Sequence, residues 1–522
     1  MALSYETLPG DIDHLIADDH AIVERQFQHL EAGRGNRRVL VDQISAELSM
    51  HAFAEETVIY PIWKQVGMKG ELDDATQEHQ KMKELLVVLG RTEPGEAEFE
   101  QALTELIAEV RHHVQDEEQE ELPEFRAKVG AERMAALGKD FITAKRRGPT
   151  RPHPKAPSGG IKEKVAGALA APLDLARDAA SGTNKELATD PSGLLDPQAQ
   201  AIVDAHSSLG PLPFETLTPT EARKQPGPKA AVEKVMSERG IEGPEPVGSV
   251  EDLEIPDGAG GTQRLRVYKP VDAGTGPLPI IMWIHGGGWV LFTIDDHYDA
   301  SCRGLTNKTG AIVVSPDYRR APEAVFPASH DDVLAAYRWV VANAASLGGD
   351  PTRIGIGGES VGGNMAPATI LQLTDADPRP VAQVCVYPLT TGEQFGESME
   401  DAADGRPLNR ALLSWMAMHA FEGRPDAAQD PRINLLGWST EQLASMPPTL
   451  VITDERDPLR SQGEEFARKL EAAGVTTTGT RYEGVMHEFF GASAVLDKAE
   501  QAQRQAAEHF TRAFGVTTTA VR

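Results

Sequence analysis

A helical bundle followed by a separate, mostly parallel α/β domain is the architecture this sequence predicts, and three observations predict it. Residues 11 to about 146 carry long helical periodicity and little strand signal. Residues 147–190 then turn loose, with Pro149, Pro152, Pro154, Pro157 and Gly159-Gly160 in close succession, which is linker chemistry. From about 191 onward, short apolar strands alternate with helices, the pattern of a parallel sheet with crossover helices. The predicted units are a bundle over 10–146, a linker over 147–190 and an α/β domain over 191–518. Within the linker, Ile161, Val165, Leu169 and Leu173 recur every fourth residue and predict a docking helix over 161–179.

Bulk properties narrow the function. The 522 residues carry a net charge of −28, which opposes binding to nucleic acid and to anionic membranes. No apolar run approaches the roughly 20 residues of a membrane span. Met1–Asp11 lacks the basic and apolar regions of a secretory signal. Cys302 and Cys385 have no CxxC spacing and read as free thiols. These features lead to the expectation of a cytoplasmic protein; oligomeric state is not written in them.

In the first zone, four amphipathic helices are predicted near 12–32, 37–66, 72–90 and 96–121, with short loops that favour antiparallel neighbours. Ile44, Leu48, Ile59 and Ile62 make the stripe of the second, and His51 and Glu55 fall on it. Phe99, Leu103, Leu106 and Val110 make the stripe of the fourth, which His113 and Glu117 continue. His79 is in line with Ala75, Met82, Leu86 and Leu89, and His20 borders Ile16, Val23 and Phe27. His14 and His112 fall off these stripes. The second and fourth helices share a written pattern, a histidine, Glu-Glu four residues on and a proline beyond: His51, Glu55-Glu56, Pro61 and His113, Glu117-Glu118, Pro123. Buried carboxylates cost several kcal/mol unless paired or metal-bound. Imidazoles and carboxylates from facing helices suit iron, and carboxylates bridge metal pairs.

Over residues 10–130 the zone resembles the hemerythrin-like (HHE cation-binding) family. The resemblance implies a diiron site with ligands His20, His51, Glu55, His79, His113 and Glu117, the two glutamates bridging. Hemerythrins proper have a further histidine where this chain has Ala75, which implies an open coordination position or a different ligand. Dioxygen, nitric oxide or peroxide would be the small partners of such a site.

In the second zone, Gly358-Glu359-Ser360-Val361-Gly362 follows the strand-like Arg353–Ile356 and opens a helix, the context of a nucleophile elbow. The strand Leu278–Ile284 ends in His285-Gly286-Gly287-Gly288-Trp289. Gly286 and Gly287, with the N–H of Val361, are the expected oxyanion donors. Asp317-Tyr318-Arg319-Arg320 reads as scaffold whose charges pair with each other. Thr449–Thr453 ends at Asp454-Glu455-Arg456-Asp457, with Asp457 the expected partner of a histidine and Asp454 its competitor. His487 lies on a loop after the last strand, available as general base. Nucleophile, acid and base thus follow in the order Ser360, Asp457, His487.

From about 191 to 517 the chain resembles the hormone-sensitive-lipase-like family of α/β hydrolases. That implies a serine carboxylic-ester hydrolase acting on small esters of modest acyl length, without a cofactor, with a helical cap from 191–235 and 395–445. Glu359 and Val361 replace the usual Asp and Ala of the elbow, and Glu488 replaces a usual glycine. Leu291-Phe292-Thr293 replaces a run usually carrying Gly-Ser, and Phe292 is expected to narrow the pocket. Two other readings are compatible with the same residues: an oxygen, nitric oxide or iron sensor in which the bundle regulates the hydrolase, and a non-catalytic binding scaffold.

Overall fold

The computed structural model of the chain describes residues 11–33, 37–145, 148–149, 151–152, 195–271, 276–393, 395–403, 405–424 and 426–515. The helix expected over 161–179 lies outside them. The chain divides into two compact units near residue 195.

Among its described residues the first unit has helices and no strand. Its first helix, α1, spans Ile12–Glu31. The single helix expected over 37–66 is divided into α2 (Arg37–Val58) and α3 (Tyr60–Val66). Pro61 is the reason, because it has no N–H for the carbonyl of Thr57 and its ring crowds that carbonyl. The third expected helix is α4 (Lys69–Leu89). The fourth is regular only as α5 (Ala97–Asp116), opens into a π turn over Glu117–Glu121 and resumes as α6 (Leu122–Val129). Pro123 removes the donor that Gln119 would meet in a regular helix. A further helix, α7 (Ala131–Lys145), packs on α1 and α2.

Two apolar clusters fill this unit. One holds Val23, Leu48, Met82 and Val110; the other holds Ile16, Ala54, Ile59, Ala75 and Leu122. On every helix the predicted ligands fall where one cluster gives way to the other. They therefore form a polar layer between two dry ones.

The second unit is built on an eight-stranded sheet in the order β1-β2-β4-β3-β5-β6-β7-β8. β1 (Ser249–Pro256) and β2 (Thr262–Lys269) are antiparallel to each other, and β2 is antiparallel to β4 (Ile312–Asp317). β3 (Leu278–Ile284), β5 (Gly349–Glu359), β6 (Ala382–Val386), β7 (Thr449–Arg456) and β8 (Thr477–Met486) run parallel with β4. β3 is almost wholly buried and β6 entirely so, which fits their continuous apolar sequence in a sheet covered on both faces. α10 (Tyr298–Thr309) packs with α15 (Asp497–Ala513), and α11 (Ala328–Leu347) with α12 (Val361–Leu371). Ahead of the sheet lie α8 (Pro197–Ser208) and α9 (Pro228–Glu238); α13 (Arg410–Ala420) and α14 (Arg460–Ala472) flank β7 in sequence. Among the described residues, no helix is long and apolar enough to cross a membrane.

Candidate active site and candidate metal centre

The carboxyl ends of β3, β5, β7 and β8 gather the chemistry of the second unit, where open α/β sheets place their ligands. β5 delivers Ser360 at φ 58° and ψ −120°, a strained conformation for a residue with a Cβ. The turn closes tightly. A Cβ on Gly358 would lie 2.5 Å from the Ile284 carbonyl oxygen, and one on Gly362 only 2.1 Å from it. Those glycines let β3 and the start of α12 touch, backbone to backbone.

His487 and Asp457 meet across the ends of β8 and β7. His487 Nδ1 stands 2.8 Å from Asp457 Oδ2, and the other Asp457 oxygen accepts the Leu459 N–H at 2.8 Å. Both side chains are buried. Burial pulls the imidazole down in pKa, but the charge and hydrogen bond of Asp457 outweigh it, so His487 ends above its ordinary value. Asp454, the competitor, is buried beside Asp457 and makes no such contact with a histidine nitrogen.

Ser360, Val361, Gly287, Phe292, His487 and Glu488 line one cavity of about 350 Å³. The rest of its wall is largely apolar: Phe214 and Pro228 from the segment before the sheet, and Met399, Leu408, Leu412 and Met416 from the later one. Gly286 lies against the serine, since a Cβ there would be 3.1 Å from Ser360 Cβ. Gly287 has φ 95°, open to glycine, and a Cβ on it would strike Phe292.

Several contacts differ from the expectations or were not foreseen. The charges of Asp317–Arg320 do not pair with each other. Asp317 pairs with Arg264 at 3.0 Å and Arg319 with Asp332 at 2.7 Å, because strand and loop neighbours are nearer than sequence neighbours. Tyr318 braces the glycine loop by donating to the carbonyls of His285 and Gly286, 3.0 Å each. Glu359 is fully buried and accepts from Trp283 Nε1 at 2.9 Å and Tyr387 Oη at 2.6 Å; burial raises its pKa. Glu488, at φ 69°, accepts from Tyr298 Oη at 2.6 Å, while its other carboxyl oxygen is buried without a partner among the described residues.

In the first unit all six predicted ligands are buried. Their ligating atoms fall into two overlapping groups within 4.8 Å: His20, His51, Glu55 and Glu117, and Glu55, His79 and His113. His14 and His112 stand apart beside Asp18 and Asp116. The imidazoles face inward by Nε2. His51 and His79 place theirs 3.2 Å from the two oxygens of Glu55, and His20 and His113 theirs 3.3 and 3.6 Å from one oxygen of Glu117. His79 and His113 bring their Nε2 atoms to 3.3 Å of each other.

Each Nδ1 faces outward onto a carboxylate that the periodicity did not single out as part of the site. His20 meets Glu118 at 3.1 Å, His51 meets Asp19 at 3.0 Å, His79 meets Glu56 at 2.9 Å and His113 meets Glu78 at 2.8 Å. This fixes the tautomer that turns Nε2 toward a cation. Glu56 and Glu118 were within reach of the sequence as the second member of each Glu-Glu pair. Tyr60 was not foreseen either; its hydroxyl lies 3.2 and 3.3 Å from the two ring nitrogens of His79.

The donor set fits a metal. Both oxygens of Glu55, Oε2 of Glu117 and the Nε2 atoms of His20 and His51 are buried with no hydrogen-bond partner among the described residues. Burial lowers the proton affinity of His20 and His79, but Glu117 and Glu118 push His20 up to about 10, and Glu55 and Glu56 push His79 up to about 9.

Comparison with known proteins follows the same division. Residues 11–125 match the hemerythrin HHE cation-binding domain, and residues 281–491 match the α/β hydrolase fold. An ethyl acetate hydrolase of Pseudomonas putida is 33% identical over 311 residues, 58% of this chain and 92% of that one. A carboxylesterase of Mycobacterium tuberculosis is 36% identical over 239 residues, 46% of this chain and 74% of that one. The crystal structure of a thermostable esterase from Pseudomonas putida aligns at a TM-score of 0.56 and 31% identity, covering 62% of this chain and 99% of that one.

Proposed function

The chain belongs to the α/β-hydrolase family as a carboxylesterase-type hydrolase with a hemerythrin HHE cation-binding domain ahead of it, and on that premise we propose that Ser360, His487 and Asp457 carry ester hydrolysis. The carrying observation is the 2.8 Å contact of His487 Nδ1 with Asp457, on an imidazole that lines the same cavity as the strained Ser360. Ser360 Oγ attacks the ester carbonyl as His487 Nε2 takes its proton. Asp457 holds the tautomer that leaves Nε2 free and stabilises the imidazolium. The N–H groups of Gly286, Gly287 and Val361 receive the oxyanion. His487 returns the proton to the departing alcohol, then draws one from water as that water attacks the acyl-serine and passes it to Ser360 Oγ as the acid leaves. The apolar cavity of about 350 Å³ suits acyl chains of modest length.

The test is Ser360→Ala in the full chain, assayed on p-nitrophenyl esters beside phosphonate labelling of the wild type. Turnover is expected to fall more than about a thousandfold with the melting curve unchanged. Retained turnover, or a label on another residue, would refute the assignment.

For the bundle we propose two iron ions, one held by His20, His51, Glu55 and Glu117 and the other by Glu55, His79, His113 and Glu117, with the glutamates shared. Iron bound there would supply redox and small-gas-ligand chemistry. The residues' own part is separate: Asp19, Glu56, Glu78 and Glu118 hold the imidazoles, and the two apolar clusters exclude bulk water.

A further inference from the structure

β7 ends in two carboxyl groups three positions apart, Asp454 and Asp457, both completely buried. Asp457 is fully accounted for by Leu459 N–H and His487. Asp454 is not: among the described residues no donor reaches either of its oxygens. Yet an oxygen of Asp454, one of Asp457 and a nitrogen of His487 lie within 4.8 Å of one another.

The charged groups that act on Asp454 are Asp457, Arg460 and Glu488. Arg460 lowers it in part but gives it no hydrogen bond: one terminal nitrogen goes to the Glu455 carbonyl and the other to Asp401, with Glu397 alongside, and Nε is buried without an acceptor among the described residues. An ionised carboxylate in that place would have no donor and a like charge next to it. Both conditions favour the neutral acid. Burial first, and Asp457 second, push Asp454 well above the carboxylate range. A buried neutral acid has an O–H that needs an acceptor, and the carboxylate beside it is Asp457.

We propose that Asp454 is a protonated positioning residue that donates a hydrogen bond to Asp457, so that His487 is oriented by a carboxylic acid–carboxylate pair rather than by a lone carboxylate. The proposal rests on the reading of Ser360, His487 and Asp457 as the reacting set. The proton stays on Asp454 through the cycle. Its donation steadies the charge of Asp457 and makes that carboxylate less basic, which lowers the proton affinity of His487.

Two substitutions in the full chain test it, read by the pH profile of kcat/KM on a p-nitrophenyl ester. Asp454→Asn keeps a donor and adds no charge, so its rate and acidic limb are expected to match the wild type. Asp454→Ala removes the donor, so kcat/KM is expected to fall about 10- to 100-fold, the worth of a hydrogen bond to a charged group, with the acidic limb moved to higher pH. If Asp454 is instead ionised, Asp454→Asn removes a negative charge near His487 and moves the acidic limb to lower pH; that result overturns the proposal. An unmoved limb in a folded Asp454→Ala also overturns it. Should Asp454→Ala fail to fold, the Asp454→Asn profile decides alone. Phosphonate labelling of Ser360 in each variant separates these outcomes from a failure of the underlying assignment, which would abolish labelling in the wild type as well.

Discussion

Tyr298 donates its hydroxyl to Glu488 at 2.6 Å, and this bond ties the loop behind His487 to the helix beyond the glycine loop. The same hydroxyl would be 2.7 Å from a Cβ on Gly286. A carboxyl group is therefore held close behind the proposed oxyanion donors, with one oxygen unpartnered among the described residues. His297 Nε2 fixes the backbone there, 2.6 Å from the Glu488 carbonyl oxygen.

That carboxyl predicts a pH dependence of stability. Burial, more than any charge, raises Glu488 from its ordinary 4.5 to about 7. Between those values the folded protein keeps a proton that the unfolded chain releases, so stability falls as pH rises through the window and levels off above it. The plateau cost is about 3 kcal/mol. Glu488→Gln should melt close to the wild type near pH 4.5 and on the order of 5 °C higher at pH 8. The same difference at both pH values would show that the group is not titrating there.

Gly362 predicts a failure of folding rather than of chemistry. A Cβ there would meet the Ile284 backbone oxygen at 2.1 Å, and backbone on both sides leaves no soft atom to yield. Gly362→Ala should cost more than about 3 kcal/mol in denaturant unfolding. Ser360→Gly should do the reverse, gaining about 1 kcal/mol from release of the φ 58° strain while losing turnover. A neutral Gly362→Ala would mean that β3 and α12 are further apart than described.

Glu55 belongs to both ligand groups and His79 to one. Reconstitution with ferrous iron followed by elemental analysis should give two ions per chain in the wild type. His79→Ala should leave about one, and Glu55→Ala fewer than one, because a bridging carboxylate lost from a buried site also leaves the imidazoles without their counter-charge. Equal losses in both variants would argue against a shared glutamate.

What was legible in the sequence was local or periodic. Ser360 stood out because an elbow needs its glycines within two residues, and His51 with Glu55 because four residues make one helical turn. Contacts between elements were not legible. Asp19 and Glu78 reach His51 and His113 from other helices, at separations of 32 and 35 residues that no period marks. Tyr318 reads only as scaffold until the fold sets it under Gly286. Pro61 was visible, but the unbroken apolar stripe outweighed it in the helix assignment, while Pro123 lay just beyond the assigned end at 121. Their cost falls on backbone hydrogen bonds, which a stripe does not record.

Phe292 supplies the last prediction. It lines the cavity, and its ring would be met by a Cβ on Gly227 at 2.9 Å and by one on Gly287 at 3.3 Å. The ring is thus wedged between the glycine loop and the segment before the sheet, where it cannot swing aside without displacing backbone. It should bound the length of the chain that fits. The wild type is expected to prefer acetyl and butyryl p-nitrophenyl esters over decanoyl. Phe292→Ala should raise the decanoyl-to-butyryl ratio of kcat/KM by about tenfold or more, the discrimination that methylene groups carry in an apolar pocket. If the wild type already favours the decanoyl ester, the ring does not bound the pocket, and the long apolar side chains of α13, Leu412 and Met416, become the walls that do.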